Sequence, residues 1–377
     1  MINFSFSKKS AIGLDLGDLS LRMAQFKKQA GKFMVSGFIE KTIPEGLIKD
    51  GEIEQEDKLS GLIKDALLNS IGDAFQGNEV VCNLPEEKVF VRIIQLPAMK
   101  REELDQAVKW EAEAHIPLGI DEVYLDWSVI NPVGDKKENH IDILIAAAPK
   151  TLVESYLSLL HKSELYPVAL EPESVAVARL LISPDNNKPT IIVDISSTGA
   201  NFVIISEGVI CFTAHTPLSD WLFTESLLKE FDIDEKKAEL LKREVGLCID
   251  KSKVIESIDL ANRESIYNAL SPVADKFVEQ IIEYITFYHD HVGHIHKPDK
   301  EIEQIIFCGD ISVAHLSEYI TQKVKIQTSL CDCAKNIVPS IKIKNKFKNK
   351  CEDKFGPCAV VFGLALRNFD LKSSSIE

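Results

Sequence analysis

The chain has 377 residues, of which 45% are hydrophobic and 27% charged, so it is long enough for two or more domains with a sizeable core. Its formal net charge of −15 argues against a general nucleic-acid binder or an anionic-membrane binder. The sequence has no apolar run of about 18 residues and no secretory signal, so we expect its eight cysteines to be thiols in a reducing compartment.

The first patterned stretch, residues 11–27, predicts a β-hairpin. An apolar strand leads to Asp15, a turn follows at Gly17 and Asp18, and residues 19–26 form the second strand. The N–H groups of such a turn can bind a phosphate, and a carboxylate at the strand end can hold Mg²⁺ through its waters. An ordinary hairpin whose aspartate caps its own turn explains the same pattern.

A helix at residues 55–69 precedes what we interpret as a small inserted module. The module is predicted as a ββαββ unit, with strands at 79–84, 88–96, 122–130 and 141–148 and a helix at 101–114. A helix at 149–162, a strand at 166–170 and a helix at 171–182 follow. The linker-like SPDNNKP, residues 183–189, marks the expected boundary between two halves.

The hairpin pattern recurs beyond this linker. Residues 191–198, IIVDISST, again place an apolar strand before an aspartate, Asp194, and residues 200–205 and 209–212 continue as strands. The recurrence indicates two similar half-molecules. Each would offer one Asp-tipped hairpin to a shared polyphosphate and Mg²⁺.

The rest of the second half is expected to be mainly helical. Ser271 and Pro272 suit the N-cap and the first position of a long helix that ends near His289. The other predicted elements are helices at 221–231, 235–245, 313–323 and 356–368, strands at 252–260 and 303–308, a solvated loop at 342–350, and a disordered tail after Phe369.

Two Asp-tipped hairpins resemble those of the actin, Hsp70 and sugar-kinase ATPases. Within that superfamily, residues 90–108, FVRIIQLPAMKREELDQAV, together with residues 110–117 and 122–126, resemble the PilM family of type IV pilus assembly proteins, relatives of FtsA. Shared features are a strand, Leu-Pro, a methionine, a Glu-Leu helix, Ile-Pro and an acidic strand. Residues 165–178, 238–246 and 361–366 also fit, so the resemblance spans residues 11–368.

The resemblance implies an α/β, actin-like (ribonuclease H-like) fold with duplicated halves and a small inserted α/β module. The expected limits are 1–78 and 149–185 for the core of the first half, 79–148 for the partner-binding module, 186–231 and 301–369 for the core of the second half, 232–300 for its helical subdomain, and 370–377 for the tail.

The resemblance further implies a site for ATP and Mg²⁺ between the halves. Asp15 and Asp194 would hold the metal through water. The residues implied to bind the nucleotide are Gly13, Asp15, Gly17, Asp18, Leu19, Ser20, Arg22, Asp194, Ser196, Ser197, Thr198, Glu239, Lys242, Gly309 and Asp310. Lys242 can also be interpreted as a solvated helix charge paired with Glu239.

Three positions depart from the family pattern. Asp18 stands where serine is common, Ser196 stands where glycine is expected, and Asp310 follows Gly309 in a motif that usually has more glycines. A carboxylate repels a triphosphate unless the metal lies between them. These departures weigh against hydrolysis more than against the fold, and we expect at most slow ATPase activity.

A hydrolytic base would come from Glu171 or Glu173, which follow the strand at 166–170. Both can instead be acidic residues favoured at a helix N-terminus by the helix dipole.

The resemblance implies that a groove beside the inserted module takes the N-terminal cytoplasmic peptide of a PilN-like inner-membrane partner. The apolar candidates for its floor are Leu84, Val89, Ile93, Leu96, Met99 and Leu104, and for each of them the module's own core is the alternative.

We therefore predict a cytoplasmic scaffold of the type IV pilus machinery that is peripheral to the inner membrane through its partner. A pilus motor ATPase and a second copy of the chain are further candidate partners, and nucleic acid is not expected. The alternatives are an FtsA-like polymerising membrane adaptor, for which residues 370–377 give no amphipathic helix, and a slow ATPase of a related secretion or competence system.

Overall fold

The computed structural model describes residues 10–29, 32–130, 140–183, 188–248, 260–292, 301–333, 337–339 and 356–370. The chain folds as two units. The first unit comprises residues 1–129, 143–183 and 332–377, and the second comprises residues 130–142 and 184–331.

Up to residue 183 the elements are β1 (Ile12–Leu16), β2 (Ser20–Gln29), β3 (Lys32–Thr42), β4 (Ile48–Lys49), β5 (Glu52–Ile53), α1 (Glu56–Leu68), β6 (Ile71–Gly72), β7 (Glu79–Leu84), β8 (Phe90–Pro97), α2 (Arg101–His115), β9 (Val123–Ile130), β10 (His140–Pro149), α3 (Lys150–Lys162), β11 (Tyr166–Pro172) and α4 (Glu173–Leu181). The later elements are β12 (Thr190–Ile195), β13 (Ala200–Ser206), β14 (Val209–Thr216), α5 (Trp221–Glu230), α6 (Glu235–Glu244), α7 (Leu260–Phe287), β15 (Gln304–Gly309), α8 (Leu316–Val324), β16 (Gln327–Leu330), β17 (Ile337–Pro339) and α9 (Ala359–Asp370).

The sheet of the first unit has the strand order β11-β7-β1-β2-β3-β17, with β6 beside β3. Strand β1 runs antiparallel to β2, with Asp15 opposite Arg22. It runs parallel to β7 on its other side. Helices α1 and α3 contribute buried apolar residues to the core on this sheet, among them Leu59, Ile63 and Tyr156.

The second unit repeats this topology, with the order β16-β15-β12-β13-β14. Strand β12 runs antiparallel to β13, with Asp194 opposite Asn201, and parallel to β15, with Asp194 opposite Cys308. Both predicted hairpins and the two similar halves are therefore confirmed. The helices expected at 55–69, 101–114, 149–162 and 221–231 are also confirmed, to within one residue at each end.

The predicted ββαββ module is wrong in its first strand. Strand β7 lies in the sheet of the first unit, between β11 and β1. Its residues Val80, Val81 and Cys82 are all fully buried, as expected for a parallel strand covered on both faces. The module therefore consists of α2 and the neighbouring strands β8, β10 and β9. Leu104, Val108 and Ala112 form the buried face of α2.

The C-terminal segment corrects the expected limits of the second half. The described residues from Asp332 to Asp370 belong to the first unit rather than to a second-half core that extends to residue 369. Helix α9 packs so closely on β1 that a Cβ atom on Gly13 would lie 2.5 Å from the carbonyl oxygen of Val361. Gly13 therefore permits this packing, and Phe362 adds an edge-to-face contact with Phe26.

The predicted start of the long helix is also wrong, because α7 begins at Leu260 and contains Pro272 in its interior. Its buried face runs through Ile266, Leu270, Phe277 and Ile281. Packing along that continuous face offsets the hydrogen bond that proline removes. The predicted loop at 342–350, the tail from residue 371, and all but the last residue of the weak strand at 252–260 lie outside the described residues.

Among the helices of the described ranges, none combines the length and the apolar composition that crossing a bilayer requires.

Candidate functional site

The hairpin of the first unit places Asp15 at the end of a buried strand. Asp15 is only 6% exposed, and the N–H of Gly17 donates to the carbonyl of Ser20 at 2.9 Å to close the turn. The guanidinium of Arg22 lies 3.7 Å from the Asp15 carboxylate and donates to Glu40 at 3.0 Å. Arg22 thus places a positive charge beside the predicted metal-binding carboxylate.

Asp18 serves the fold of the first unit. Its carboxylate accepts hydrogen bonds from the backbone N–H groups of Asp50 and Gly51 at 2.8 and 3.0 Å. Both donors have positive φ, in the turn between β4 and β5. Two N–H donors stabilise the Asp18 charge, so this departure from the family pattern has a structural explanation.

Glu173 is connected to the Asp15 strand through Asn83. Asn83 is fully buried, accepts from the N–H of Leu16 at 2.8 Å and donates to its carbonyl at 3.2 Å. It also donates to Glu173 at 2.9 Å. Asn83 was missed in the sequence, where the available signal was an amide at the end of the apolar run EVVCNL.

Glu171 lies in a different environment, although it is only two residues away. It is 2% exposed and forms a bidentate pair with Arg179, at 2.5 and 2.8 Å. Arg367 of α9 also donates to it. The structure therefore places one candidate base in a buried ion-pair cluster and the other next to the Asp15 hairpin.

The hairpin of the second unit places Asp194 in the equivalent position. Asp194 is 8% exposed, and the Cys308 thiol donates to it at 3.4 Å. The hydroxyl of Ser196 accepts from the N–H groups of Thr198 and Gly199. Ser196 therefore closes its own loop, while Ser197 and Thr198 remain exposed.

Gly309 meets Asp194 at the end of the neighbouring strand. Its φ is +85°, and a Cβ atom there would lie 2.0 Å from the carbonyl oxygen of Ile195 and 2.6 Å from an Asp194 carboxylate oxygen. The N–H of Asp310 donates to the same Ile195 carbonyl at 2.7 Å. The structure thus brings these predicted site residues together in the second unit. Only glycine fits at the end of β15.

Lys242 is fully buried rather than solvated. Its ammonium donates to Asp220 at 2.5 Å, to Thr224 at 2.7 Å and to Glu239 at 2.7 Å. The predicted pairing with Glu239 is therefore confirmed, and the predicted solvated charge is wrong. Burial would raise the pKa of Glu239, but the hydrogen bonds from Lys242 and Thr224 leave that pKa below its usual value. Asp220 and Thr224 were missed in the sequence.

The candidate residues for partner binding are mostly buried. Leu84, Ile93, Leu96 and Leu104 are at most 7% exposed, whereas Val89 and Met99 are half-buried. Leu84 belongs to the core of the first unit rather than to that of the module. The module's exposed apolar residues include Trp110, at 68%, and Tyr124, at 48%.

The family model for type IV pilus assembly protein PilM matches residues 13–369. The chain belongs to the PilM family. The resemblance that the inserted module suggested is thereby confirmed over nearly the whole chain.

Many solved structures are similar in fold, among them the following three. A PilM-PilN type IV pilus biogenesis complex superposes with a TM-score of 0.75 at 24% identity, covering 96% of this chain and 99% of the other. MreB5 of Spiroplasma citri bound to AMPPNP gives a TM-score of 0.55 at 14% identity, covering 98% of each chain. The ethanolamine utilization protein EutJ from Carboxydothermus hydrogenoformans gives 0.51 at 14% identity, covering 96% and 90%. These similarities confirm the actin-like fold of this PilM-family chain.

Proposed function

We propose that this chain is a scaffold of type IV pilus assembly that binds ATP with Mg²⁺ through the hairpins of its two units. The repeated topology carries the proposal, because each unit holds one nearly buried aspartate at the same position, the end of a strand before an antiparallel turn. Such carboxylates are the hard oxygen ligands that Mg²⁺ takes through its water shell.

The described residues fit a Mg-ATP complex in three respects. Asp15 and Asp194 supply carboxylates. The exposed Ser197 and Thr198 supply hydroxyl groups for phosphate oxygens, and Ser197 also supplies its backbone N–H. Gly309 supports the fit, since a side chain there would collide with the Ile195 carbonyl and the Asp194 carboxylate and displace them. The metal would neutralise part of the triphosphate charge, which a chain of net charge −15 otherwise repels.

Any hydrolysis is proposed to be slow, with Glu173 as the better placed of the two candidate bases. Glu171 is held by two arginine side chains. Glu173 is half-buried and is hydrogen-bonded through Asn83 to the strand that carries Asp15.

The nucleotide proposal is tested by titrating Mg-ATP into the purified chain by calorimetry. We expect D15N and D194N each to weaken binding at least about tenfold, because each removes a carboxylate that organises the metal's waters. EDTA is expected to weaken binding of the wild type as well. The control is D73N, whose parent carboxylate pairs with Lys27 on the surface of the first unit. Wild-type protein that fails to bind Mg-ATP would contradict the proposal.

We further propose that the inserted module binds the cytoplasmic tail of a PilN-like membrane protein and so brings the chain to the inner membrane. Met99 follows β8 and is the half-buried apolar candidate outside the core of the first unit. In a titration with a synthetic tail peptide, M99E should weaken peptide binding. L68E should not, since Leu68 lies in α1 and is 85% exposed. Equal effects of both variants would argue against the module. Binding to a motor ATPase and self-association stay predictions.

A further inference from the structure

Asp220 occupies the point where three segments of the second unit meet. It follows β14 and immediately precedes α5. Its backbone N–H donates to the carbonyl of Ser196 at 3.3 Å. The backbone of Asp220 is thus hydrogen-bonded to the loop that follows Asp194.

The side chain of Asp220 binds the loop after Gly309. One carboxylate oxygen accepts from the backbone N–H of Ser312 at 3.1 Å, and the other accepts from the Ser312 hydroxyl at 3.2 Å. The same residue therefore joins the loop after β12 to the loop after β15, although the two loops are more than 100 positions apart in the sequence.

Lys242 completes the arrangement from α6. The three protons of its ammonium are matched by oxygens of Asp220, Thr224 and Glu239. A buried lysine whose donors are all used in this way does not offer its charge to a phosphate. Its charge instead compensates that of the Asp220 carboxylate. Removing either partner would leave the other as a desolvated charge without compensation.

We infer that Asp220 is a positioning residue that holds the loops after β12 and β15 of the second unit in one arrangement, with or without ligand. The inference rests on the proposed nucleotide function, since those loops carry Ser196–Thr198 and Asp310. Burial raises the pKa of Asp220, and the Lys242 charge and the Ser312 N–H oppose that rise. A carboxylate already bound by these donors acts on a nucleotide through the loops rather than by direct contact.

The test compares D220A and D220N with D275N in the full chain. Asp275 is the matched control because it accepts from a lysine and a hydroxyl of the same unit, Lys323 at 2.9 Å and Tyr319 at 2.6 Å. The first readout is amide hydrogen exchange without nucleotide, measured on peptides that cover residues 196–199 and 309–313. The second readout is the dissociation constant for Mg-ATP.

In D220A we expect the Ser312 amide to exchange at least about tenfold faster and Mg-ATP to bind at least about tenfold more weakly. D220N keeps an acceptor for Ser312 but loses the ion pair, so both of its effects should be smaller. D275N should change neither readout. If D220A fails to fold, D220N and the double variant D220N/S312A replace it, and a non-additive loss of Mg-ATP affinity supports the inference.

Unchanged exchange in a folded D220A would overturn the inference. Faster exchange with an unchanged Mg-ATP affinity would overturn it too, because Asp220 would then be structural only. Wild-type protein that does not bind Mg-ATP overturns the proposed function, and the exchange rates alone then decide whether Asp220 holds the two loops.

Discussion

At the scale of single residues, Gly309 carries the strictest requirement among the candidate site residues. Its φ of +85° disfavours any side chain, and the space that a Cβ would need is taken by Ile195 and Asp194. The two effects can be separated, because Gly77 has a similar φ of +78° and nothing within 4 Å of an added Cβ.

We expect G309A to lower the free energy of unfolding by about 3 kcal/mol or more, and G77A by about 1 kcal/mol. The difference between these two losses measures the clash with the Ile195 carbonyl, because the backbone strain is common to both variants. Urea denaturation followed by circular dichroism is the measurement. Equal losses in the two variants would mean that the strand end relaxes around the new methyl group.

The sequence predicted the types of site residue better than their partners. The two aspartates and Gly309 follow from apolar strands that end in an acidic residue or a glycine, which is a local pattern. The burial of Lys242 does not follow, because it depends on Asp220 and Thr224, which are distant along the chain. Asp18 is similar, since its partners Asp50 and Gly51 lie in the turn between the two-residue strands β4 and β5, which are too short for a clear periodic pattern.

At the scale of elements, Glu171 joins three parts of the first unit. It lies in β11, Arg179 lies in α4, and Arg367 lies in α9. Arg179 also donates to the carbonyl of Gly363 in α9 at 2.9 Å. One carboxylate thus fastens the C-terminal helix to the strand and the helix that precede the linker.

E171Q is therefore expected to lower the free energy of unfolding by about 2–4 kcal/mol, since two arginine side chains lose their anionic partner. This loss of unfolding free energy stays below that for breaking a fully buried ion pair, because the Arg367 side chain is 34% exposed. E173Q provides the comparison, with an expected loss of about 1 kcal/mol, because glutamine keeps an acceptor for Asn83. Both losses are measured by urea denaturation, and a larger loss in E173Q would contradict this view.

Secondary structure was predictable where one face of an element is apolar, as in α1 and α2. The prediction failed where tertiary contacts override a local signal. Pro272 is typical of a helix start. The helix nevertheless extends to the N-terminal side of Pro272, because Ile266 and Leu270 are buried there. The sequence of β7 suggests half of a hairpin, and only its pairing between β11 and β1 shows that it is a central strand.

At the scale of the whole molecule, each unit contains a buried thiol that can report on its unfolding. Cys82 lies in β7 of the first unit and Cys211 in β14 of the second. Burial, with a smaller contribution from the Asp15 charge, raises the pKa of Cys82 well above its usual value. Burial raises the pKa of Cys211 to about 12.

Because the thiolate is the reactive form, both cysteines should resist iodoacetamide at pH 8 in the native protein and react once their unit unfolds. Labelling across a urea gradient, with mass spectrometry of the two peptides, yields one transition for each unit. Coincident transitions would mean that the units unfold together, and separate transitions would mean that one unit stays folded after the other has unfolded. Rapid labelling without urea would contradict the expected burial.

The position of α9 has a consequence for synthesis on the ribosome. The first unit needs residues 359–370 to cover β1, and at ~5–20 residues per second these segments are made roughly 20–70 s apart. Most of the second unit, residues 184–331, is contiguous and emerges in between. The nascent chain therefore exposes an incomplete N-terminal sheet while the second unit can already fold. This reverses the usual folding order, in which the N-terminal domain folds first. The uncovered face of β1 is then a natural target for chaperones.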